Sequence, residues 1–319
     1  MVVAPFVFAF SGWNCSADSR DLSISNDRLR ATLTTPSGLL AVDDLDSGVH
    51  WSQYVPSRIA KGRDWGGVTT SEIPSSELVR IEEATIRGQT IRAQALWRGY
   101  PFTIVFDLVG EGPLLTVTID TPERDKPLPW SRGWAGTMLM TYPYAFHHES
   151  AGAEVVVPID EGLIYSTREV DTAADPRRWR PWWLYRKLSM PWWGVTGGDS
   201  GVMTQVDTPY DCMFSMQWVD TPAGQRTLPQ VTWVGSKERL AYPRKIAYRF
   251  VADGGYVAMA KAFRRTQQTA GRFRSWEEKI RANPAVERLR GALDLWSQAK
   301  ITSKMIGQLR GAGIRKALI

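Results

Sequence analysis

Cysteine and histidine are the scarce residues of this chain, and their scarcity excludes much. Two cysteines, Cys15 and Cys212, occur in 319 residues. A single pair cannot be a disulfide framework, and a thiolate metal site needs more ligands, so the sequence predicts two unpaired thiols. The histidines are three: His50, His147 and His148. No G-x-S-x-G elbow, Walker loop, G-x-G-x-x-G or H-E-x-x-H is present. With these absent, no cofactor is expected. Long hydrophobic runs are missing too. The apolar stretch Val2 to Phe10 is too short to span a bilayer, so no stable membrane insertion is expected.

That stretch, followed by "SGWNCSADSRD", looks like the apolar core of a secretory signal. It has no Lys or Arg before it, and Asn14 breaks a lipoprotein pattern at Cys15. The expectation is a leader over residues 1–24 and an extracytoplasmic or secreted protein.

What is present is globular and rich in tryptophan. Hydrophobic residues make up 43% and charged residues 23%, with 15 Trp against 10 Tyr and 10 Phe. This length supports one large domain or two smaller ones. The net charge of +6 permits an anionic partner without requiring one.

From Asp21 to about Asp253 the pattern is that of short strands. In "RLRATLTT", Leu29, Ala31 and Leu33 fall on one face. "PSG" and "DSG" then turn the chain around "LLAVDDL". Val79, Ile81, Ile86, Ile91, Ala93 and Ala95 continue the alternation. "FTIVFDLVGEGPLLTVTIDT" reads as two more strands about a Gly-rich turn. Frequent turns without a fixed repeat point to a large antiparallel sandwich over residues 25–253.

Helices follow over residues 254–284. Tyr256, Met259, Ala260 and Phe263 share a helical face. Ser275 and Glu278 form a capping box, and Asn283-Pro284 ends that segment. The tail, residues 285–319, reads as strand, helix, strand. "GALDLW" is followed by Ile301, Met305, Ile306 and Leu309 at helical spacing, then by "IRKALI". Such a βαβ unit belongs to a parallel sheet covered by helices, so the expectation is an N-terminal fragment of a longer protein.

Several places tempt a chemical reading. "HHE" at 147–149 could hold a metal, but strand neighbours point to opposite faces, and a surface loop is the expectation. Asp160 and Glu161 could be a catalytic carboxylate pair, but adjacent residues rarely flank a glycosidic bond; a turn with Gly162 is expected. "DPRRWRPWWLYRKLSMPWWG" interleaves Trp179, Trp182, Trp183, Trp192 and Trp193 with Arg177, Arg178, Arg180 and Arg186. Three readings stay open: a stacking surface for single-stranded nucleic acid, a platform for sugar faces, and aromatic packing in a core or interface. The first is set aside, and no nucleic-acid partner is expected.

"MTYPYAFHHESAGAEVVVPIDEGLIYS", "SMPWWGVTGGDSGVMTQVDTPYDC" and the long segment from "YPRKIAYRF" to "GALDLW" occur in this order. Together they resemble the N-terminal part of bacterial glycoside hydrolases related to α-N-acetylgalactosaminidases, including the endo-acting kind. The resemblance covers roughly Ser25 to Ile319. It implies a galactose-mutarotase-like sandwich, a helical linker, and the truncated βαβ start of a (β/α)8 barrel. It implies a carbohydrate partner and retaining hydrolysis of α-linked galactose-type sugars. Family carboxylates sit on later barrel strands, so no catalytic residue is carried over. Asp294 and Trp296, near the end of the first barrel strand, become candidate substrate-binding residues. Trp182, Trp183, Arg180 and Asp160 are the candidates from the sandwich. The alternative is a non-catalytic carbohydrate-binding or structural sandwich.

Overall fold

The computed structural model describes residues 19–64, 67–72, 78–128, 140–149, 152–159, 162–168, 182–184, 188–294 and 301–318. The chain divides into two compact units, Met1–Ala260 and Lys261–Ile319.

The first unit is a mainly-β sandwich of antiparallel strands. Leu29–Thr35, Leu39–Asp44 and Val49–Gln53 form successive hairpins. Their alternation buries Leu29, Ala31, Leu33, Leu40, Val42 and Trp51. The turn at Gly38 requires glycine twice over. Its φ is +71°, and an added Cβ would meet the Tyr142 ring at 3.3 Å. Arg20–Ser25 pairs outside Leu29–Thr35, because Leu22 and Ile24 extend the alternation upstream of Ser25. Phe146–His147 closes the other edge of this five-stranded sheet against Val49–Gln53.

A nine-stranded sheet runs in the order Leu163–Ser166, Glu154–Val157, Trp192–Gly197, Ser200–Val206, Arg244–Val251, Leu114–Asp120, Tyr100–Leu108, Thr90–Trp97 and Arg80–Arg87. The two strands expected in "FTIVFDLVGEGPLLTVTIDT" pair there, Val117 opposite Phe106. Ile86 departs from expectation and is exposed. After the register shift between Ile81 and Glu83 it stands opposite the buried Ile91, but at the turn end of the edge strand, where one flank has no neighbouring strand to cover it.

The third sheet orders Met140–Thr141, Gly224–Trp233, Cys212–Thr221, Pro56–Asp64 and Gly67–Glu72, with Trp182–Trp183 also paired to Cys212–Thr221. One face of its central hairpin presents Phe214, Met216, Trp218, Val231 and Trp233. One hydrophobic core joins these to the other two sheets. At about 1.5–3 kcal/mol per buried large side chain, this core carries the fold. Cys212 lies in it, its thiol donating to the Pro209 carbonyl at 3.3 Å, and burial pushes its pKa well up. Cys15 lies outside the described residues.

Helix Gly255–Thr269 corrects the expected stripe: Met259, Ala262 and Phe263 are buried, whereas Tyr256 and Ala260 are exposed. The apolar stripe follows i, i+3, i+4 from Met259 and leaves the first turn in solvent.

In the second unit, helix Trp276–Ala282 opens with the expected Ser275–Glu278 capping box, and Asn283 ends it. A short 3-10 turn, Pro284–Leu289, follows. Leu293–Asp294 then pairs in parallel with Ala317–Leu318, with helix Ser303–Gly311 between them. This is the βαβ unit read from the tail. Among the described residues it is the one parallel pairing. No helix among them is long and apolar enough to cross a membrane.

Candidate functional site

The strand Val49–Gln53 sends Trp51 and Gln53 into the core, so alternation leaves His50 and Ser52 on the opposite face. Tyr54 continues that row. Register fixes the neighbours: Asp43 is opposite His50, and His147 is opposite Ser52. The result is a polar strip with short contacts. His50 Nδ1 lies 2.7 Å from Asp43 Oδ1, and His50 Nε2 lies 3.0 Å from Ser52 Oγ. The Tyr54 hydroxyl donates to Glu149 Oε1 at 2.5 Å. Since a carboxylate only accepts, Nδ1–H donates to Asp43, and Nε2 is left to accept from the Ser52 hydroxyl.

His147 is the buried member of the group. Its imidazole meets the Tyr54 ring edge-on, centroids 6.4 Å apart, and neither ring nitrogen has a hydrogen-bond partner among the described residues. Burial pushes its pKa down to about 4; Arg226 and His148 push the same way, and Glu149 opposes them. The imidazole is therefore neutral near pH 7. Burial, reinforced by the bond to Glu149, raises the Tyr54 phenol to about 12. The surface-loop expectation for "HHE" is thus corrected at its first residue. Pairing with Val49–Gln53 draws His147 inside, while His148 packs half-buried against Trp51 at 5.4 Å and Glu149 stays exposed. Among the described residues no three His, Cys, Asp or Glu side chains are placed to hold a metal ion.

A second polar group lies on the third sheet. In the hairpin Cys212–Thr221/Gly224–Trp233, Ser215 pairs with Gln230 and Val219 with Arg226. Ser215, Gln217, Gln230, Thr232 and Arg226 occupy the face opposite Phe214 and Met216, and all are buried. Gln230 Oε1 accepts from Ala145 N at 3.0 Å, and Gln217 Nε2 donates to Ser215 Oγ at 3.0 Å. Arg226 spends its two Nη groups on the carbonyls of Gln225 and Ala223. Among the described residues, Gln217 Oε1, Gln230 Nε2 and Arg226 Nε keep no partner. Each such atom costs about 1–3 kcal/mol.

The residues nominated from sequence are placed as follows. The Trp182 and Trp183 backbones pair with Phe214 and Met213, on the strand that carries Ser215 and Gln217. Asp294 sits in the parallel pair, opposite Leu318. Arg180, Asp160, Trp296 and Trp179 lie outside the described residues. Of the basic-aromatic segment, Trp192 and Trp193 are buried, and Trp193 packs on Phe214 with centroids 5.4 Å apart. For these two the packing reading holds. Gly162 closes a turn onto the Ile159 carbonyl at 2.7 Å. Sequence reading missed the polar strip. Its signal was available: "DDLDSGVHWS" is a hairpin whose turn sets Asp43 across from His50, with Ser52 two residues on.

No family model matches the chain, and none of the curated proteins matches it. Solved structures do. The α-N-acetylgalactosaminidase NagBb from Bifidobacterium bifidum, in complex with GalNAc, is similar over 92% of this chain and 50% of its own, with a TM-score of 0.65 and 14% identity. Its ligand-free form gives a TM-score of 0.64 at 14% identity, over 92% and 49% of the two chains. A quadruple mutant gives 0.63 at 13% identity, over 93% and 51%. The chain spans about half the length of these enzymes. The likeness shows a shared fold.

Proposed function

We propose that the chain forms the sandwich half of a secreted glycoside hydrolase acting on α-linked galactose-type sugars, N-acetylgalactosamine among them. The observation that carries this is the match to NagBb over 92% of the chain. The parallel unit Leu293–Asp294/Ala317–Leu318 supports it, because a (β/α)8 barrel is built from such units. In this reading the catalytic carboxylates belong to later barrel strands. Asp294 and Trp296 are the candidate sugar-binding residues of the tail, and Trp182, Trp183, Arg180 and Asp160 those of the sandwich. Retaining chemistry needs two carboxyl groups about 5–5.5 Å apart.

A second reading, a non-catalytic carbohydrate-binding sandwich, is favoured by one feature. Among the described residues, the buried face of Gln217, Gln230 and Arg226 holds one unused acceptor, Gln217 Oε1, and two unused donors, Gln230 Nε2 and Arg226 Nε. Hydroxyl groups, which donate and accept, suit such a set.

The test is phenol release from an aryl α-N-acetylgalactosaminide and an aryl α-galactoside by the 319-residue chain. No turnover is expected. Turnover that survives repurification and disappears in Asp160→Ala or Glu161→Ala would move the active site into the sandwich. Sequencing the gene past the codon for Ile319 separates the two readings: further βα units with two strand-end carboxylates support the first, and a stop codon the second.

A further inference from the structure

We propose that Ser52 is an acyl-accepting nucleophile, with His50 as its general base and Asp43 positioning the imidazole, and that the group hydrolyses short-chain acyl esters.

The geometry carries the proposal. An activated serine needs a base within hydrogen-bond reach and a third group that orients the base. Ser52 Oγ is 3.0 Å from His50 Nε2, and His50 Nδ1 is 2.7 Å from Asp43 Oδ1. Such a constellation is recognised by roles and distances, independently of chain order or fold. The backbone holds all three in place. His50 and Ser52 are i, i+2 on one strand face, and Asp43 is the direct cross-strand partner of His50. The group is open to solvent, with 59% of the His50 and 41% of the Asp43 side chain exposed. An ester therefore reaches it without any rearrangement, and the open setting favours small substrates. The Tyr54 hydroxyl, next along the same strand face, is committed to Glu149 Oε1 at 2.5 Å.

The chemistry balances without a cofactor. Ser52 Oγ bonds to the ester carbonyl carbon as its proton passes to His50 Nε2. The tetrahedral adduct collapses, the bond to the leaving oxygen breaks, and that oxygen takes the proton from His50. Water then attacks the acyl-serine, His50 accepting its proton. The carboxylic acid departs, and Ser52 regains its hydrogen from His50. None of these steps depends on the glycosidase reading, and neither does the test.

The test uses the full chain with p-nitrophenyl acetate, following p-nitrophenol release and mapping the acetyl group by peptide mass spectrometry. Acetyl on Ser52, with a burst of p-nitrophenol, is expected. Ser52→Ala is expected to abolish the burst, and His50→Ala to slow acylation by about 10²-fold, the low end of general-base effects. Asp43→Asn is expected to slow it as well, and Asp43→Glu to restore part of the rate, a rescue that a merely structural role would not give. Ser23→Ala, an exposed serine on another strand, should behave as the parent. His50 and Ser23 are exposed and Asp43 and Ser52 half-buried, and circular dichroism of each variant is expected to match the parent. Acetyl found elsewhere and absent from Ser52, or equal rates in the parent and Ser52→Ala, would overturn the proposal.

Discussion

Tyr54 stands edge-on to His147, centroids 6.4 Å apart and planes at 64°, while its hydroxyl reaches past the imidazole to Glu149. The aromatic edge leaves His147 buried, with neither nitrogen bonded among the described residues. That arrangement makes folding pH-dependent. Protonation in the unfolded chain occurs near 6.5, but in the folded chain only near 4, with burial the main cause. Arg226 and His148 add to the depression, and Glu149 works against it. The folded-state pKa is the lower one, so stability is whole above 6.5 and drains away as pH falls toward 4. The gap corresponds to about 3 kcal/mol. Urea denaturation between pH 7.5 and 4 should show this loss, and His147→Gln should flatten it. Parallel profiles for the parent and His147→Gln would refute the assignment.

The second expectation concerns the helix over the nine-stranded sheet. Met259 is fully buried against Gly194 and Gly201, on neighbouring strands, where a Cβ at either glycine would collide with its Sδ or Cε. Gly201→Ala should cost about 1–3 kcal/mol as an overpacking change. Met259→Ala should cost about 2–5 kcal/mol. In the double variant the clash is gone, so Gly201→Ala should add almost nothing. Additive losses in denaturant titrations would show that the two do not touch.

Much of this fold was legible because strand alternation and turn chemistry are local. Leu29, Ala31 and Leu33 face inward as their spacing requires, and the capping box at Ser275 reads directly from four residues. What stayed hidden depends on pairings between distant segments. "HHE" reads as polar, but Phe146 pairs with Gln53 across more than ninety positions and drags His147 inside. Gln217 and Gln230 alternate as though facing water, yet this sheet is covered on both faces. The triad-like contacts needed only the register of one hairpin; the catalogue of sequence motifs does not contain them, because the order Asp-His-Ser over ten residues is no known signature.

The third expectation tests why that face is polar. Gln217 Oε1 lacks a partner, and its Nε2 is bonded only to Ser215 within the described residues. Replacing both partners of a buried pair by apolar groups is near neutral or stabilising. Ser215→Ala with Gln217→Leu should therefore leave the unfolding free energy unchanged or raise it by about 1–2 kcal/mol. A drop of similar size would mean that the face is kept for stability. If the face instead serves a ligand, the same double variant should lose any binding of N-acetylgalactosamine seen by calorimetry in the parent.

The last expectation concerns Arg244, a guanidinium wholly removed from solvent. It donates to the carbonyls of Tyr242 at 2.9 Å and Val234 at 3.0 Å, and to Ser236 Oγ at 3.2 Å. Its Cζ lies 3.8 Å from the Tyr242 ring centroid. The charge partner is Asp211, 3.6 Å away and partly exposed. The distances rank the contributions: the two carbonyls and the ring hold the guanidinium closely, and the ion pair is loose. Arg244→Ala should cost about 3–5 kcal/mol, since it strands the carbonyls of Tyr242 and Val234 and removes the stacking on Tyr242. Arg244→Lys should recover little, because an ammonium cannot bond both carbonyls while stacking on the ring. Asp211→Asn should cost less, about 1 kcal/mol, because the amide still accepts from Tyr242, whose hydroxyl bonds Asp211 Oδ2 at 2.5 Å. Equal losses for Arg244→Ala and Asp211→Asn in urea titrations would reverse this ranking and make the ion pair the dominant contact.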